Sequence, residues 1–548
     1  MLVQQSESLG KAEALTVLIV ENQGNMQAQL RGMLGQCGIT RVQAVQSAAQ
    51  AARKLRESRF DIILCESNLG EQQDGQHFLE DIRQHHLIPL STLFIMVTAE
   101  RSHERVVSTA ELAPNDYILK PFTLERLQER LERALNKREA FIPAWSLSEG
   151  GKTLEAIAAC EEGEKKFPQY EIDFIRLRAE LLAMIGQAEE AQALYRRVLE
   201  QRAVPWARLG LARMHYRTRH YPEALGELKT LLDETPLYLD AYDWLARTHE
   251  AMGKLDAARG ALERAAQLSP HVTQRLRRIG EVALELGDGA AAEKALGEVV
   301  RQTRYSDFRD PEDHLQLVKA QLETGAMDRA EATLRDLRRN LQSLPKTALC
   351  SAISSALVHT KKGDAAKAVE AAQQAASLLD PKLGASIDLK KDLTRVCLAH
   401  KLDEQATSVV MDILRNTADD AAIDGIQKML GDCGREDLGE VLTTRLRQEV
   451  RLMMSEGAEL AKRGDYAGAV THMLEAVRRM PGHTLVLFNA ALAHLKFIEH
   501  QGWDERHAAH ARILIQRVQK QDPGNSKLGA LHAYFDELTR RSKQKRSA

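Results

Sequence analysis

Aromatic residues are scarce in this sequence: they make up 5% of its 548 residues, whereas hydrophobic residues of all kinds make up 44%. This composition favours closely packed helices over a β-sandwich or a β-barrel. The six cysteines include no Cys-x-x-Cys pair. A chain of this length does not need disulfides for stability, so we predict reduced and mostly buried thiols, as in cytosolic proteins.

Long apolar runs are also lacking. No stretch approaches the length of about 18 consecutive apolar residues that marks a membrane-spanning helix, and residues 2–13 are polar and mixed in charge. We therefore expect no signal peptide, no membrane span and a cytoplasmic location. Residues 1–13 are interpreted as a disordered leader.

An excess of one charge is absent as well, because 75 lysines and arginines balance 77 aspartates and glutamates. No global field therefore favours nucleic acid or a membrane surface, and any electrostatic recognition must use local patches. Glycine-rich phosphate loops, nucleophile elbows and zinc-ligand spacings are missing too. These absences predict a protein that is not an enzyme.

What the sequence does contain, first of all, is an alternation of short apolar strands and amphipathic helices over residues 14–138. The predicted strands are 17–20, 42–45, 62–65, 92–97 and 117–119, and the predicted helices are 25–36, 47–57, 75–84, 103–112 and 123–138. This alternation predicts βαβ units and a parallel sheet with helices on both faces. Sites form at the carboxyl edge of such a sheet, where Glu21 and Asn22 follow the first strand.

Polar motifs follow the strands in order. They are Glu21 and Asn22, then Glu66, Asn68 and Gly70, then Asp74 and Gly75, then Thr98 and Ala99, and last Asn115, Asp116, Tyr117, Lys120, Pro121 and Phe122. This pattern resembles the receiver family of response regulators in bacterial two-component signalling. The resemblance implies a doubly wound, flavodoxin-like α/β fold with five parallel strands, and a place in a phosphorelay.

The resemblance also implies a phosphoryl-transfer pocket. In the family an aspartate that ends the third strand accepts the phosphoryl group, and an acid pair after the first strand holds Mg²⁺. Here Glu66 takes the acceptor position, and Glu21 and Asn22 take the place of the acid pair. Because Mg²⁺ prefers carboxylate ligands in near-ideal octahedral geometry, we expect at most weak Mg²⁺ binding by these three residues.

Three further residues complete the expected pocket. By the same resemblance, Thr98 supplies a hydroxyl and Lys120 an ammonium to the phosphoryl group, and Tyr117 is the aromatic residue whose rotamer follows the position of Thr98. Such fixed donors stabilise the charge that develops in phosphoryl transfer.

Glu66 leaves three alternatives open. It is one methylene longer than aspartate, and a misplacement of about 1 Å can cost about 100-fold in rate. In the first alternative Glu66 reaches toward Thr98 and Lys120 as a phosphoaspartate would, and holds the domain permanently in a signalling state. In the second the pocket is degenerate and the domain is a docking surface, and in the third Glu66 itself is phosphorylated. We expect that ordinary phosphotransfer does not switch this domain.

The second region repeats with a period of 34 residues. This spacing separates Ala224, Ala258 and Ala292, as well as Gly253 and Gly287, and Pro236 and Pro270. Small residues let the two helices of a hairpin approach closely, and a proline ends the second helix. The pattern resembles the tetratricopeptide repeat family, most strongly over 172–304 and 450–523, and predicts an all-helical solenoid over 153–535. Residues 380–450 are predicted to be helical, without assignable repeats.

The junction between the two regions is predicted to be short and semi-rigid, over residues 139–152. Residues 153–167 have the pattern of a second repeat helix, with Pro168 closing it, and residues 141–147 are its predicted partner. At the other end, residues 536–548 are rich in lysine and arginine and are predicted to be a basic disordered tail.

A peptide groove is the second candidate site. In the resembled family the first helix of each hairpin lines a groove, and this register selects Arg176, Trp206, Arg213, Tyr216, Arg217, Arg247 and Arg277. Arginine binds carboxylates bidentately and aromatic residues anchor apolar side chains, so the groove would accept an acidic peptide or partner helix. Alternatively, the arginines form a solvated surface by pairing with Glu180, Asp243, Glu250 and Glu281.

Together these features predict a two-component-type signalling adaptor with a degenerate receiver, which acts by protein–protein interaction through its repeats. The resemblance implies two further partners: a histidine kinase, and a second copy bound through the fourth helix, fifth strand and fifth helix of the receiver. One alternative is a constitutive scaffold or assembly chaperone with the receiver as docking module. The other is an RNA-binding regulator, which the balanced charge disfavours.

Overall fold

The computed structural model describes residues 13–70, 75–99, 115–270, 272–304, 306, 308–417, 420–522 and 525–547. Residues 1–12 of the predicted leader, Asp74, and the predicted helix over 103–112 lie outside these ranges. The chain divides into two compact units, Met1–Ala179 with Gln192–Asp313, and Glu180–Ala191 with His314–Ala548.

The first unit begins with five short strands. They are β1 (Thr16–Val20), β2 (Arg41–Val45), β3 (Ile62–Glu66), β4 (Leu93–Thr98) and β5 (Asp116–Leu119). All pair in parallel, in the order β2-β1-β3-β4-β5, and Val17 of β1 pairs with Val42 on one side and Ile62 on the other. The predicted five-stranded, doubly wound sheet is confirmed.

Helices cover both faces of the sheet. They are α1 (Gly24–Gln36), α2 (Ala48–Glu57), α3 (Gly75–Gln84) and the start of α4 (Leu124–Glu149). Because successive strand residues point to opposite faces, Ile19 packs with Leu34 of α1 and Leu131 of α4, whereas Leu18 packs with α2 and with Phe78 of α3. These two cores fix α1 and α4 on one face of the sheet and α2 and α3 on the other.

Helix α4 joins the sheet domain to the helical repeats without a break. It is 26 residues long and contains Pro143. Leu127 lies in the core under the sheet, while Phe141, four turns further on, stacks on Phe174 with ring centroids 3.9 Å apart. The helix predicted to end at residue 138 therefore extends through most of the predicted junction, since the following residues have their own apolar partners.

The all-helical region continues with α5 (Thr153–Lys166), α6 (Glu171–Met184), α7 (Ala188–Gln201), α8 (Pro205–Arg217), α9 (Tyr221–Glu234), α10 (Leu239–Ala251), α11 (Leu255–Leu268), α12 (Thr273–Glu285) and α13 (Gly289–Gln302). Ala224, Ala258 and Ala292, the residues with the 34-residue spacing, are all fully buried. A Cβ atom at Gly210 would clash with the ring of Tyr195. The buried alanines and Gly210 thus permit close helix approach. Gly253 and Gly287, which share the 34-residue spacing, instead lie in turns at a φ of +73°, where a Cβ atom would meet nothing within 4 Å.

The remaining helices lie wholly or mostly in the second unit. They are α14 (Pro311–Glu323), α15 (Met327–Asn340), α16 (Thr347–Lys362), α17 (Ala365–Leu378), α18 (Ile387–Ala399), α19 (Asp403–Arg415), α20 (Asp420–Asp432), α21 (Glu436–Lys462), α22 (Tyr466–Arg479), α23 (Thr484–Gln501), α24 (Glu505–Gln521) and α25 (Leu528–Ser547). Helices α18 to α21 supply the boundaries over 380–450 that the sequence left unassigned. In the ranges that the structure describes, no helix is long and apolar enough to cross a membrane.

The C-terminal helix α25 differs from the predicted disordered tail over 536–548. Leu538 is buried against the core of the second unit, and Glu537 pairs with Arg541 one turn further on. Lysine, arginine and glutamine are good helix formers, and such (i, i+4) ion pairs support a helix. The basic segment therefore continues the helix instead of ending it.

Candidate functional site

The first candidate site lies at the carboxyl edge of the sheet. Glu21 directly follows β1, Glu66 ends β3, Thr98 ends β4, and Lys120 directly follows β5. Parallel strands bring their carboxyl ends to the same edge, so residues far apart in sequence converge there. Glu21 and Thr98 are 1% exposed and Glu66 is 8% exposed, so the pocket is largely closed to water.

Lys120 connects the two carboxylates of this pocket. Its Nζ lies 2.8 Å from Oε2 of Glu21, and it also forms an ion pair with Oε2 of Glu66. Burial alone would lower the pKa of Lys120, but the hydrogen bonds to Glu21 and Glu66, with the charges of both carboxylates, raise it. The ammonium is therefore a fixed cation between the acceptor position and the acid pair.

Ser67 is a pocket residue that the sequence analysis missed. Its hydroxyl donates to Oε1 of Glu66 at 3.2 Å and also hydrogen-bonds the hydroxyl of Thr98. The backbone N–H of Asn68 donates to the same Glu66 oxygen at 3.1 Å. Both oxygens of Glu66 are thus engaged, one by Lys120 and the other by the chain that follows it. In the sequence, the only indication of this link between Glu66 and Thr98 is a serine directly after the acceptor position.

The predicted magnesium ligands have other partners in the structure. Both carboxylates accept hydrogen bonds from the Lys120 ammonium, and the side-chain amide of Asn22 donates to the carbonyl oxygen of Asn68 at 3.4 Å. Among the described residues, no group of three histidine, cysteine, aspartate or glutamate side chains could hold a metal ion. Mg²⁺ needs free oxygen ligands, so it would have to displace these hydrogen bonds.

Tyr117, the predicted switch residue, lies on β5 and is half-buried. It packs against the core that contains Leu18 and Phe78. On the same edge, the backbone N–H of Lys120 donates to the carbonyl oxygen of Thr98 at 2.7 Å. The structure therefore brings Thr98 and Lys120 together, whereas Tyr117 lies earlier on β5, where it pairs with Met96 of β4.

The second candidate site is a set of alternating arginines and tryptophans on α6, α8 and α10. The guanidinium of Arg176 lies 5.6 Å from the ring centroid of Trp206. Trp244 is contacted by two guanidinium groups, that of Arg213 at 5.1 Å and that of Arg247 at 4.9 Å. These five residues are called the arginine–tryptophan surface below. Trp244 was not among the predicted groove residues, although it lies one helical turn before the predicted Arg247.

The other predicted groove residues have different environments. Tyr216 packs edge-on against Trp244, with ring centroids 5.4 Å apart, and Arg217 follows it at the end of α8, half-buried. Arg277 forms a bidentate ion pair with Asp313, at 2.5 and 2.9 Å. Burial alone would lower the pKa of Arg277, but this pair raises it. Arg277 is therefore engaged within the chain.

Acidic residues near this surface pair with arginines of α12. Arg275, which is 2% exposed, binds Asp243 through two hydrogen bonds of 2.9 and 2.8 Å. Arg278 pairs with Glu250 at 2.9 Å and with Glu281 at 2.7 Å. Three of the four acids in the solvated-surface alternative are thus bound by Arg275 and Arg278, two arginines outside the predicted groove set.

Comparison with protein families finds two matching segments in the chain. Residues 17–132 match the response regulator receiver domain, and residues 176–238, 209–273 and 245–307 match tetratricopeptide repeats. The chain therefore contains a receiver domain followed by tetratricopeptide repeats, as the two resemblances implied. Neither is a family of enzymes.

Similar proteins match the receiver part. The chain is 29% identical over 124 residues to chemotaxis protein CheY-3 of Vibrio cholerae, which covers 22% of this chain and 93% of that protein. It is 33% identical over 140 residues to the transcriptional regulatory protein ZraR of Salmonella typhimurium, covering 25% of this chain and 31% of ZraR.

Solved structures with limited similarity cover parts of this chain. The structure of Vibrio cholerae CheY4 has 24% identity and a TM-score of 0.21, and the match covers 22% of this chain and 98% of that chain. A double mutant of MamA RS-1 has 18% identity and a TM-score of 0.27, over 30% of this chain and 93% of that chain.

Proposed function

We propose that this chain, which joins a response regulator receiver domain to tetratricopeptide repeats, is a cytoplasmic two-component-type signalling adaptor that acts through protein–protein contacts and not as an enzyme. Its receiver is held in one state without phosphotransfer. The observation that carries this proposal is the Lys120 ammonium, which binds Glu21 and Glu66 at the same time.

This ion pair opposes phosphorylation in two ways. A carboxylate nucleophile must point an oxygen in line with the phosphoryl donor, and both oxygens of Glu66 accept hydrogen bonds that fix their direction and lower their nucleophilicity. The phosphoryl oxygens also need cations that neutralise their charge during transfer. The charge of Lys120 is already neutralised by two carboxylates. Asn22 lacks the negative charge that a carboxylate at its position would offer to a second cation, Mg²⁺. A histidine kinase would therefore find a poor acceptor.

Of the two unphosphorylated alternatives, the contacts of Glu66 favour a receiver that is permanently in a signalling state. Glu66 reaches Lys120 directly and reaches Thr98 through the hydroxyl of Ser67. These are the two residues that the resemblance assigns to the phosphoryl group. In a pocket that is merely degenerate, we would not expect Thr98 and Lys120 both to be linked to the acceptor position.

The output of the adaptor is proposed to be the arginine–tryptophan surface, and its partner a peptide or helix with carboxylate side chains. Stacking on tryptophan orients a guanidinium before any partner arrives, which lowers the entropic cost of binding. Arg247 is exposed, so it can bind a carboxylate of the partner directly.

Peptide affinity with and without a phosphodonor tests this function. The probe is a fluorescein-labelled peptide that alternates glutamate and leucine, and a lysine–leucine peptide is the control. We expect the affinity of the full chain for the probe to be unchanged by a small acyl-phosphate donor with Mg²⁺, and to fall in Glu66→Ala. A phosphodonor-induced change in the wild-type chain would contradict the held receiver.

The same titration distinguishes the main alternative. A constitutive scaffold or assembly chaperone, in which the receiver is only a docking module, predicts equal probe affinity for the wild-type chain, Glu66→Asp and Glu66→Ala. This alternative is favoured by the same pocket, because a receiver that cannot be phosphorylated has no input. The drop expected for Glu66→Ala separates the two.

A further inference from the structure

The receiver and the repeats of the first unit meet at helix α3. Phe78, Leu79 and Ile82 of α3 are completely buried in the receiver core. The other side of this helix contacts residues of the repeats, with Glu80 7% exposed and bonded to Thr273. One short helix therefore has the receiver core on one side and repeat helix α12 on the other.

Glu80 caps the N-terminus of α12. Its carboxylate accepts hydrogen bonds from the backbone N–H of Thr273 at 3.3 Å, the hydroxyl of Thr273 at 2.9 Å and the backbone N–H of Gln274 at 3.2 Å. The residue at the N-cap position of α12 is Val272, which provides no side-chain hydrogen bond. Helix N-termini leave backbone N–H groups without partners, and a carboxylate there is favoured by the helix dipole. The receiver thus supplies the cap that α12 lacks.

A second contact supports the first. Phe308, in the segment after α13, packs against the receiver core. Its ring stacks on His85 with centroids 4.2 Å apart, and the guanidinium of Arg56 lies 5.1 Å from its centroid. In the same segment the hydroxyl of Ser306 donates to Asp81 at 2.7 Å. Because polar and apolar contacts occur together, the receiver is docked and not merely tethered.

The N-terminal turn of α12 also connects with the arginine–tryptophan surface. Arg275 lies two residues after Thr273 and binds Asp243 bidentately. Asp243 directly precedes Trp244, which Arg213 and Arg247 flank. The residues that Glu80 caps are therefore one ion pair away from the proposed peptide site.

The N-terminal end of α3 connects with the receiver pocket. The backbone N–H of Gly75, the first residue of α3, donates to the carbonyl oxygen of Ser67 at 2.8 Å. A Cβ atom on Gly75 would clash with the backbone oxygen of Glu66. A movement of the Glu66–Ser67 segment must therefore move the start of α3.

We propose that Glu80 is a cross-domain positioning residue, which couples the receiver pocket to the arginine–tryptophan surface by capping α12. The inference rests on the proposed function only for the role of that surface. When the pocket is intact, α3 holds Glu80 on Thr273 and Gln274, and α12 holds Arg275 on Asp243. When the contacts in the pocket are lost, the hydrogen bonds of Glu80 to α12 weaken. The side chains of Asp243 and Trp244 are then held less firmly.

Amide hydrogen–deuterium exchange of the full chain tests the cap without any ligand. In Glu80→Ala we expect the amides of Thr273 and Gln274 to exchange about tenfold faster, the size of a typical N-cap contribution. Glu80→Gln keeps an acceptor oxygen but loses the charge and should give a smaller increase. The matched control is Glu57→Ala, an exposed glutamate of α2 that pairs with Lys54. Wild-type exchange at both amides in Glu80→Ala and Glu80→Gln would overturn the proposal.

The coupling has its own readout, which a purely structural cap would not change. Lys120→Met alters only the pocket, yet we expect faster exchange at Gly75 and also at Thr273 and Gln274. Faster exchange at Gly75 with wild-type exchange at Thr273 and Gln274 would show that the pocket and α12 are independent. If the wild-type chain fails to bind the glutamate–leucine peptide, the proposed function fails, while these exchange rates still decide the role of Glu80.

Discussion

The backbone N–H of Gly75 donates a 2.8 Å hydrogen bond to the carbonyl oxygen of Ser67. Through its side chain, Ser67 connects Glu66 with Thr98. The pocket at the edge of the sheet is therefore bonded directly to helix α3, which carries Glu80 to the repeats. Through this backbone contact, a change in the pocket can displace helix α3, which packs on the receiver core and contacts the repeats of the first unit.

Replacing Gly75 should destabilise the receiver. In Gly75→Ala the new Cβ atom would overlap the backbone oxygen of Glu66, so we expect a loss of about 2 kcal/mol in the opening free energy of β3 amides in native-state exchange. The control is Gly32→Ala on α1, where a Cβ atom would meet nothing within 4 Å. That change should stabilise α1 by up to about 1 kcal/mol. Equal effects of the two substitutions would contradict the close approach.

Removing the pocket cation should cost more than removing a surface cation. Lys120→Met leaves Glu21 and Glu66 facing each other without a counter-charge, and breaking a buried pair in this way costs about 3 kcal/mol. Lys54→Met, which breaks an exposed pair with Glu57, should cost less than about 1 kcal/mol. Both are measured by exchange of β1 and β3 amides.

A double-mutant cycle identifies the partner of Lys120. Glu66→Gln in the Lys120→Met background removes one of the two unpaired charges, so the two losses should not add. Strict additivity would mean that Lys120 and Glu66 do not interact in solution.

Charge reversal should weaken recognition at the arginine–tryptophan surface. The combined Arg213→Glu and Arg247→Glu chain should bind the glutamate–leucine peptide at least about tenfold more weakly, because like charges now face the peptide. Trp244→Ala should weaken binding as well, since both guanidinium groups lose the ring that orients them. Anisotropy titration measures both effects.

The control for this prediction is a second charge reversal of the same size. Arg478 and Arg479 are exposed at the end of α22, and both pair with Glu475. Their combined replacement by glutamate should leave peptide affinity unchanged. An equal loss in the two double variants would indicate non-specific attraction of an acidic peptide to a basic surface.

The second unit should lose stability as the pH falls from about 6.5 toward 4. Burial lowers the pKa of His494 to about 4, with the charges of His507 and His510 adding to the effect, and burial lowers the pKa of His532 to about 4. Unfolded histidine titrates near 6.5, so the unfolded chain binds more protons in this interval. The stabilisation is complete above about pH 6.5, and each histidine forfeits up to about 3 kcal/mol as the pH falls through the interval.

Asparagine substitutions test this pH dependence. Urea unfolding of the His494→Asn, His532→Asn double variant between pH 7.5 and 5 should show a flatter loss of stability than the wild-type chain, because asparagine does not titrate. His472→Asn, at a partly exposed position, should keep the wild-type slope. A wild-type slope in the double variant would mean that these two histidines do not cause the pH dependence.

The sequence predicted those parts of the chain that local patterns encode. Strand alternation placed all five strands and brought Glu21, Glu66, Thr98 and Lys120 to one edge, because parallel strands end together. The repeat period likewise located the buried alanines Ala224, Ala258 and Ala292, whereas the periodic glycines Gly253 and Gly287 lie in turns after a helix. What it did not predict is Ser67, since its role depends on a side-chain rotamer that no spacing reports.

Contacts between segments that are far apart in the chain could not be predicted from local sequence patterns either. Glu80 has the pattern of an ordinary helical acid, and Phe308 lies outside any repeat, so nothing local indicates that they meet the other domain. Val272 provides no side-chain cap for α12, but Val204 provides none for α8 either, so the N-cap residue does not single out α12. Helix α4 was predicted to end too early for a related reason, because the partner of Phe141 is Phe174, in another helix.

Intact-mass spectrometry after incubation with a small acyl-phosphate donor and Mg²⁺ tests the held receiver most directly. The combined Asn22→Asp and Glu66→Asp chain restores both missing carboxylates and is the positive control, expected to gain one phosphoryl group of about 80 Da. The wild-type chain is predicted to show no adduct under the same conditions, since Lys120 and Ser67 occupy both oxygens of Glu66. A stoichiometric adduct on wild-type Glu66 would contradict the account.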